Sequence, residues 1–117
     1  VKAMRLQEKA KQVGFEWKTT EDVWEKVKEE TNELQEAVQD ATLEKQEEEL
    51  GDLMFALVNY ARFLQIDAEA ALERTNRKFI YRFTKIEEEA AARGTTLHNM
   101  TLEEMDAIWN QVKSNSI

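Results

Sequence analysis

The residues best able to do chemistry are acids, and they recur one helical turn apart. Glu29, Glu30 and Glu33 sit in one segment, Glu49 and Asp52 in the next. At about 100° per residue, Glu30 falls inside the apolar stripe set by Val27 and Leu34. Glu33 lies at the edge of that stripe, and Glu29 turns toward solvent. An ionised carboxylate on a core-facing position is costly unless it is paired or metal-bound. Glu49 and Asp52, spaced i, i+3, line up with Ala56, Tyr60 and Phe63 on one helix face. If the two helices pack antiparallel through the short connection near 41–43, then Glu30, Glu33, Glu49 and Asp52 converge. Converging carboxylates repel one another and invite a hard divalent cation. Oxygen-only ligands favour Mg²⁺, with Mn²⁺ as a substitute, over zinc. The plainer alternative is a solvated acidic face, with Glu47-Glu48-Glu49 at one end. A di-iron carboxylate site is the other metal alternative. It calls for Glu-x-x-His, and none of Glu29, Glu30 or Glu49 has that His.

A second group is basic. Arg74, Lys78 and Arg82 step by four and share one helix face, as do Trp109 and Lys113 nearer the end of the chain. On spacing alone, surface ion pairing with the acidic helices is the favoured reading. The functional alternative is a polyphosphate clamp, with cations for anionic oxygens and an indole face for a base. Acids that hold a metal beside bases that hold phosphates are two halves of a nucleotide-hydrolysing site. The lone His98 reads as a surface residue in a polar loop. Phe15 and Trp17 read as a hydrophobic anchor rather than a base-binding lip. The familiar glycine-rich phosphate cradles are absent.

The elements that must position these residues are helices. A first helix covers roughly 1–13 and ends at Gly14. Thr19 and Thr20 offer N-caps for a second, running to about 40. Its inward face is Val23, Val27, Leu34 and Val38. A third helix runs from about 43 to 65. It has one apolar face at Leu50, Leu53, Met54, Leu57, Ala61 and Leu64, and another at Ala56, Tyr60 and Phe63. A helix apolar on two faces is expected to be buried on both, centrally or at a subunit interface. Asp67 caps a fourth helix ending near Gly94, with a core stripe of Leu72, Thr75, Phe79, Phe83, Ile86 and Ala90. Thr101 and Glu104 form a capping box for a fifth, with Met100 and Met105 as a hydrophobic staple. That helix is expected to bury Leu102, Met105, Trp109 and Val112. No segment alternates like a strand. The expected fold is all-α: an antiparallel helical bundle of about five helices, dimerised into a larger bundle.

Composition agrees. The 117 residues suit one domain, spanning 1–117, and contain no Pro and only three Gly. No Cys excludes disulfides, thiolate metal sites and Cys nucleophiles; a single His excludes His-rich sites. A net charge of -8 argues against a nucleic-acid partner, which needs a basic footprint. No run approaches the ~20 apolar residues of a membrane helix, and no secretory signal opens the chain. No membrane partner is therefore expected, and the cytoplasm is the expected location. The first residue is Val1, not Met, which suggests a piece of a longer protein.

The run Glu29-Glu30-Thr31-Asn32-Glu33 followed by Glu49-Leu50-Gly51-Asp52 resembles the E-E-x-x-E … E-x-x-D signature of the MazG-type nucleoside triphosphate pyrophosphohydrolases. The likeness extends to Gly14-Phe15-Glu16-Trp17, to Glu48 through Asn59, to Asn76-Arg77-Lys78-Phe79 with Arg82-Phe83, to Ala92-Arg93-Gly94, and to Trp109 through Lys113. It implies an all-α homodimer that uses Mg²⁺ to cleave a nucleoside triphosphate to the monophosphate and pyrophosphate. Carried over residue by residue, it makes Glu30, Glu33, Glu49 and Asp52 the metal ligands. Glu29 becomes an outer acid, or the group that orients or deprotonates the attacking water. Glu29, Glu30 and Glu49 would thus form the catalytic set. Lys78 and Arg82 would hold phosphates, and Trp109 and Lys113 would complete the nucleotide pocket. Bacterial members carry two tandem copies of the domain, and this chain best resembles the second, catalytically competent copy.

Two rival functions stand beside this one. One is a narrower all-α enzyme for dUTP or dCTP, or for a phosphoribosyl-nucleotide intermediate. The other is a non-catalytic acidic helical module whose two-faced third helix mediates assembly.

Overall fold

The computed structural model describes residues 2–115. Five α-helices follow one another: α1 (Lys2–Gln12), α2 (Thr20–Asp40), α3 (Leu43–Phe63), α4 (Ala68–Ala92) and α5 (Leu102–Asn115). A single 3-10 turn, Leu97–Asn99, precedes α5 and contains the exposed His98. Among the described residues there is no strand, so the all-α expectation is met. The expected start of the first helix at residue 1 lies outside the described residues. No described helix is long and apolar enough to cross a membrane.

Local chemistry sets the helix ends. Thr19 caps α2, its side chain accepting from the Asp22 N–H, and Thr42 caps α3 by accepting from Lys45. Asp67 accepts from the N–H groups of Glu69 and Ala70 at the start of α4. Thr101 and Glu104 bond reciprocally, at 3.0 and 3.1 Å, as a complete capping box. Three helix exits close with the same paired bonds, from the next two N–H groups back onto the last turn: Gly14 and Phe15, Gln65 and Ile66, Gly94 and Thr95. The left-handed residue is Gly14 (φ +86°) after α1 and Gly94 (φ +73°) after α4. After α3 it is Gln65 (φ 62°), a side chain in a region that favours glycine.

Two compact units succeed each other, dividing at Ala71 and Leu72. In the first, α2 and α3 are joined by two residues and pack along their lengths. Gln46 lies by Ala37, Glu30 by Glu49, and Trp24 by Tyr60, so the pairs march away from the turn and the helices run antiparallel. Val23, Val27, Ala37 and Ala56 are buried here. α1 joins through Gln7, which donates to the Phe55 carbonyl at 3.0 Å. In the second unit, Ile86 and Ala90 of α4 pack with Met100 and Ile108, and with the half-buried Leu97, Met105, Trp109 and Val112. Met100 and Met105 thus sit together as the expected staple.

Several expected core positions are exposed. Val38 is exposed at the end of α2, and Leu72, Thr75, Phe79 and Phe83 are exposed along α4, whose burial is confined to Ile86 and Ala90. On α5, Leu102 is exposed and Ile108 is the buried residue. The apolar face of α3 is open at Leu50, Met54, Leu57 and Leu64, with Leu53 and Ala61 half-buried. The opposite face, with Glu49, Ala56 and Asn59, is the buried one. Periodicity identifies faces that want cover; it does not say that the same chain supplies it.

Candidate metal and nucleotide site

The antiparallel pairing of α2 and α3 brings the acids of two helices together. Glu30, Glu49 and Asp52 each offer a carboxylate oxygen, all within 4.8 Å of one another. Glu30 and Glu49 are buried, at 5% and 6% exposure, whereas Asp52 is exposed. The cluster therefore has a closed floor and an open side. Glu33, the fourth acid expected to converge, is half-buried and lies outside this group of three. Its carboxyl is pushed above the ordinary range by the negative charge of Glu30 first, then by partial burial and by Glu49. Glu29 is exposed, as its turn toward solvent implied.

Two lysines meet the buried acids from their own helices. Lys26 Nζ lies 3.1 Å from Glu30 Oε1, and Lys45 Nζ lies 2.9 Å from Glu49 Oε1. Each lysine is held above its usual range chiefly by that hydrogen bond. Oε2 of Glu30 and Oε2 of Glu49 remain buried without a hydrogen-bond partner. Buried carboxylate oxygens are normally satisfied. Two that are not, beside a third carboxylate open to solvent, suit a hard divalent cation completing its shell with water. The donor set is all oxygen, which fits Mg²⁺ or Mn²⁺ better than zinc. Lys26 and Lys45 were not among the expected site residues, although their i, i+4 spacing to Glu30 and Glu49 is legible in the sequence.

A second constellation of this unit lies two helical turns further along α3. Asn59 is buried, and its Oδ1 accepts from Arg62 Nη2 at 2.6 Å. The same nitrogen donates to Glu16 Oε1 at 2.7 Å, tying the loop after α1 to α3. This bond is the main reason the Glu16 carboxyl falls below its ordinary range. Beside the clamp lies a cavity of about 320 Å³, lined by Leu6, Ala10, Phe15, Trp17 and Phe55, with Gln7 and Asn59 among its polar groups. Phe15 is 82% exposed and Trp17 45% exposed, so neither anchors the core. The anchor expectation is corrected: the loop is held by Glu16, and its aromatics are free to wall a groove. A flat ring with polar edges would find stacking surface and amides there.

In the second unit, the Arg82 guanidinium lies 5.4 Å from the Trp109 ring, which also meets Phe79 at 5.5 Å. The structure thus brings together two of the four residues expected to bind substrate. Lys78 and Lys113 are exposed. Among the described residues neither Lys78 nor Arg82 forms an ion pair, unlike Arg77 with Glu73. The surface-pairing reading of the basic row therefore has no support at these two positions.

A family model described as the MazG nucleotide pyrophosphohydrolase domain matches residues 18–86, which hold α2, α3 and both acid pairs. A Thermotoga maritima protein named nucleoside triphosphate pyrophosphohydrolase/pyrophosphatase MazG is 47% identical over 111 residues, 95% of this chain and 42% of its own. An Escherichia coli K12 protein named nucleoside triphosphate pyrophosphohydrolase is 42% identical over 119 residues, 100% of this chain and 45% of its own. A Bacillus subtilis protein, named only as the uncharacterized protein YabN, is 54% identical over 65 residues, 56% of this chain and 13% of its own. The chain spans less than half the length of the first two. The match covers the helices that build the acidic cluster, and the chain belongs to the MazG nucleotide pyrophosphohydrolase domain family.

Proposed function

We propose that this domain hydrolyses nucleoside triphosphates at the α-phosphorus, releasing nucleoside monophosphate and pyrophosphate, in a Mg²⁺-dependent reaction. The observation that carries the reading is the pair of buried, unpartnered oxygens of Glu30 and Glu49 beside Asp52. The relatives named as nucleoside triphosphate pyrophosphohydrolases support the substrate class. Glu30, Glu33, Glu49 and Asp52 would hold the metal, with Mn²⁺ able to replace Mg²⁺. When bound, the cation would supply charge neutralisation and a more acidic water. Glu29, exposed on the same helix, would orient that water or take its proton. Lys78 and Arg82 would hold phosphate oxygens and neutralise the leaving pyrophosphate. Within the second unit, Trp109 and Lys113 would contact the nucleotide. The groove walled by Trp17 and Phe55 is a second candidate seat for the base, and Trp17→Ala against Trp109→Ala in KM separates the two.

The open apolar face of α3 supports a homodimer, because a monomer rarely leaves so much aliphatic surface uncovered. A nucleic-acid or membrane partner has no support in the charge balance or the helices. The substrate points to the cytoplasm as the place of work. Kinetics on two variants test the site. Glu49→Ala is expected to abolish metal-dependent turnover. Lys78→Ala is expected to raise KM about tenfold, the loss of one charge-assisted hydrogen bond, with helical content unchanged. Full activity in Glu49→Ala would overturn the assignment.

A further inference from the structure

We propose that Lys26 and Lys45 are built-in counter-ions of the metal-free acidic site, so that a divalent cation enters by exchange, displacing two ammonium groups from Glu30 and Glu49. This rests on the metal-binding reading above. The two helices contribute the same device. Each lysine lies four residues before a buried glutamate of its own helix and bonds one of its oxygens, at 3.1 Å for Lys26 and 2.9 Å for Lys45. Helix stabilisation does not account for this order, since Glu before Lys is the better arrangement at i, i+4. Nor are these ordinary surface pairs of negligible weight, because the carboxylate partners are 5% and 6% exposed. Without the lysines, two buried carboxylates and two neighbouring acids would face one another with no cation.

The lysines are also placed to leave. Lys26 reaches the exposed Glu29 at 3.4 Å as well as Glu30. Lys45 reaches the exposed Glu48 at 3.9 Å as well as Glu49. Each ammonium therefore stands between a buried carboxylate and an exposed one a residue before it. When the buried oxygen is taken, the lysine keeps a partner and does not strand its charge. Neither lysine side chain is buried, at 37% and 51% exposure, so each ammonium keeps contact with solvent as well as with its two partners. The arrangement holds the site open in the absence of metal and sets how tightly metal binds. A metal ion arriving must outcompete two cations already present.

The test measures Mn²⁺ binding to the 117-residue chain without nucleotide, by calorimetry, together with Tm in chelator. The variants are Lys26→Met, Lys45→Met, their Gln counterparts, and Lys28→Met as control. Lys28 pairs with Glu25, outside the cluster. Expected is a Kd for Mn²⁺ about tenfold lower in each Lys26 and Lys45 variant, equivalent to about 1.4 kcal/mol. Tm in chelator should fall, and the Tm gain on adding Mn²⁺ should widen. Lys28→Met should change none of these. Unchanged or weaker Mn²⁺ binding in the Met and Gln variants, with wild type binding normally, would overturn the exchange and leave the metal site standing. Absence of Mn²⁺ binding in wild type would overturn the metal-site reading itself, and this inference with it. Should a Met variant not fold, its Gln counterpart, which keeps polar contact without charge, decides the matter.

Discussion

At the scale of single residues, Glu30 and Glu49 are acids that a fold would ordinarily not bury together. Glu30 was readable from sequence because it interrupts an apolar stripe, and Glu49 with Asp52 because they share a turn. What spacing could not give is the depth of each. Glu49 is buried and Asp52 is exposed although they lie one turn apart, because the antiparallel partner covers one and leaves the other open. The carboxyl of Glu33 makes a signed prediction. Its range in the folded chain is raised above the ordinary 4.5 by Glu30. The folded chain then holds a proton that the unfolded chain releases, so the Glu33 contribution to metal-free stability falls as pH rises through and above 4.5. Glu16 acts in the opposite sense in wild type and Glu33→Gln alike, so the test is the difference: in urea denaturation across pH in chelator, wild type should lose stability relative to Glu33→Gln as pH rises. A Glu33→Gln profile identical to wild type would remove the repulsion from the account.

At the scale of elements, the helices were legible because their ends carry explicit chemistry. Thr19, Asp67 and the Thr101–Glu104 box were identifiable as caps, and each makes the expected bond. The end of α3 was read two residues long, at 65 rather than Phe63. No glycine marks this exit; Gln65 takes the left-handed position that Gly14 and Gly94 occupy elsewhere. That difference sets a paired prediction. Gln65→Gly is expected to raise stability by about 1 kcal/mol, relieving a left-handed side chain. Thr101→Ala is expected to lower it by about 1 kcal/mol, by loss of a cap. Chemical denaturation followed by circular dichroism reads both. The loop holding Phe15 and Trp17 was misread for a different reason. Apolar residues suggest burial, but a chain-distant clamp, Glu16 to Arg62, is what fixes this loop, and no local pattern announces it.

At the scale of the whole molecule, one chain leaves exposed much of the apolar surface that its periodicity assigns to a core. Leu50, Met54, Leu57 and Leu64 form an open row on α3, and Phe79 and Ile80 are open on α4. The α3 and α4 stripes expected in a core are left largely open by this chain, and a pattern that needs cover looks alike whether the cover is the same chain or a second one. Light scattering on a sizing column should give twice the chain mass for wild type and a shift toward the monomer for Leu57→Asp. A monomeric wild type would contradict the homodimer. Hydrolysis at the α-phosphorus is read directly by product analysis with ion-exchange chromatography, on a panel of nucleoside triphosphates with and without Mg²⁺. The expected products are monophosphate and pyrophosphate, formed only when Mg²⁺ is present. Diphosphate and orthophosphate would contradict the proposed bond, and no turnover in any condition would contradict the catalytic role of the acidic cluster.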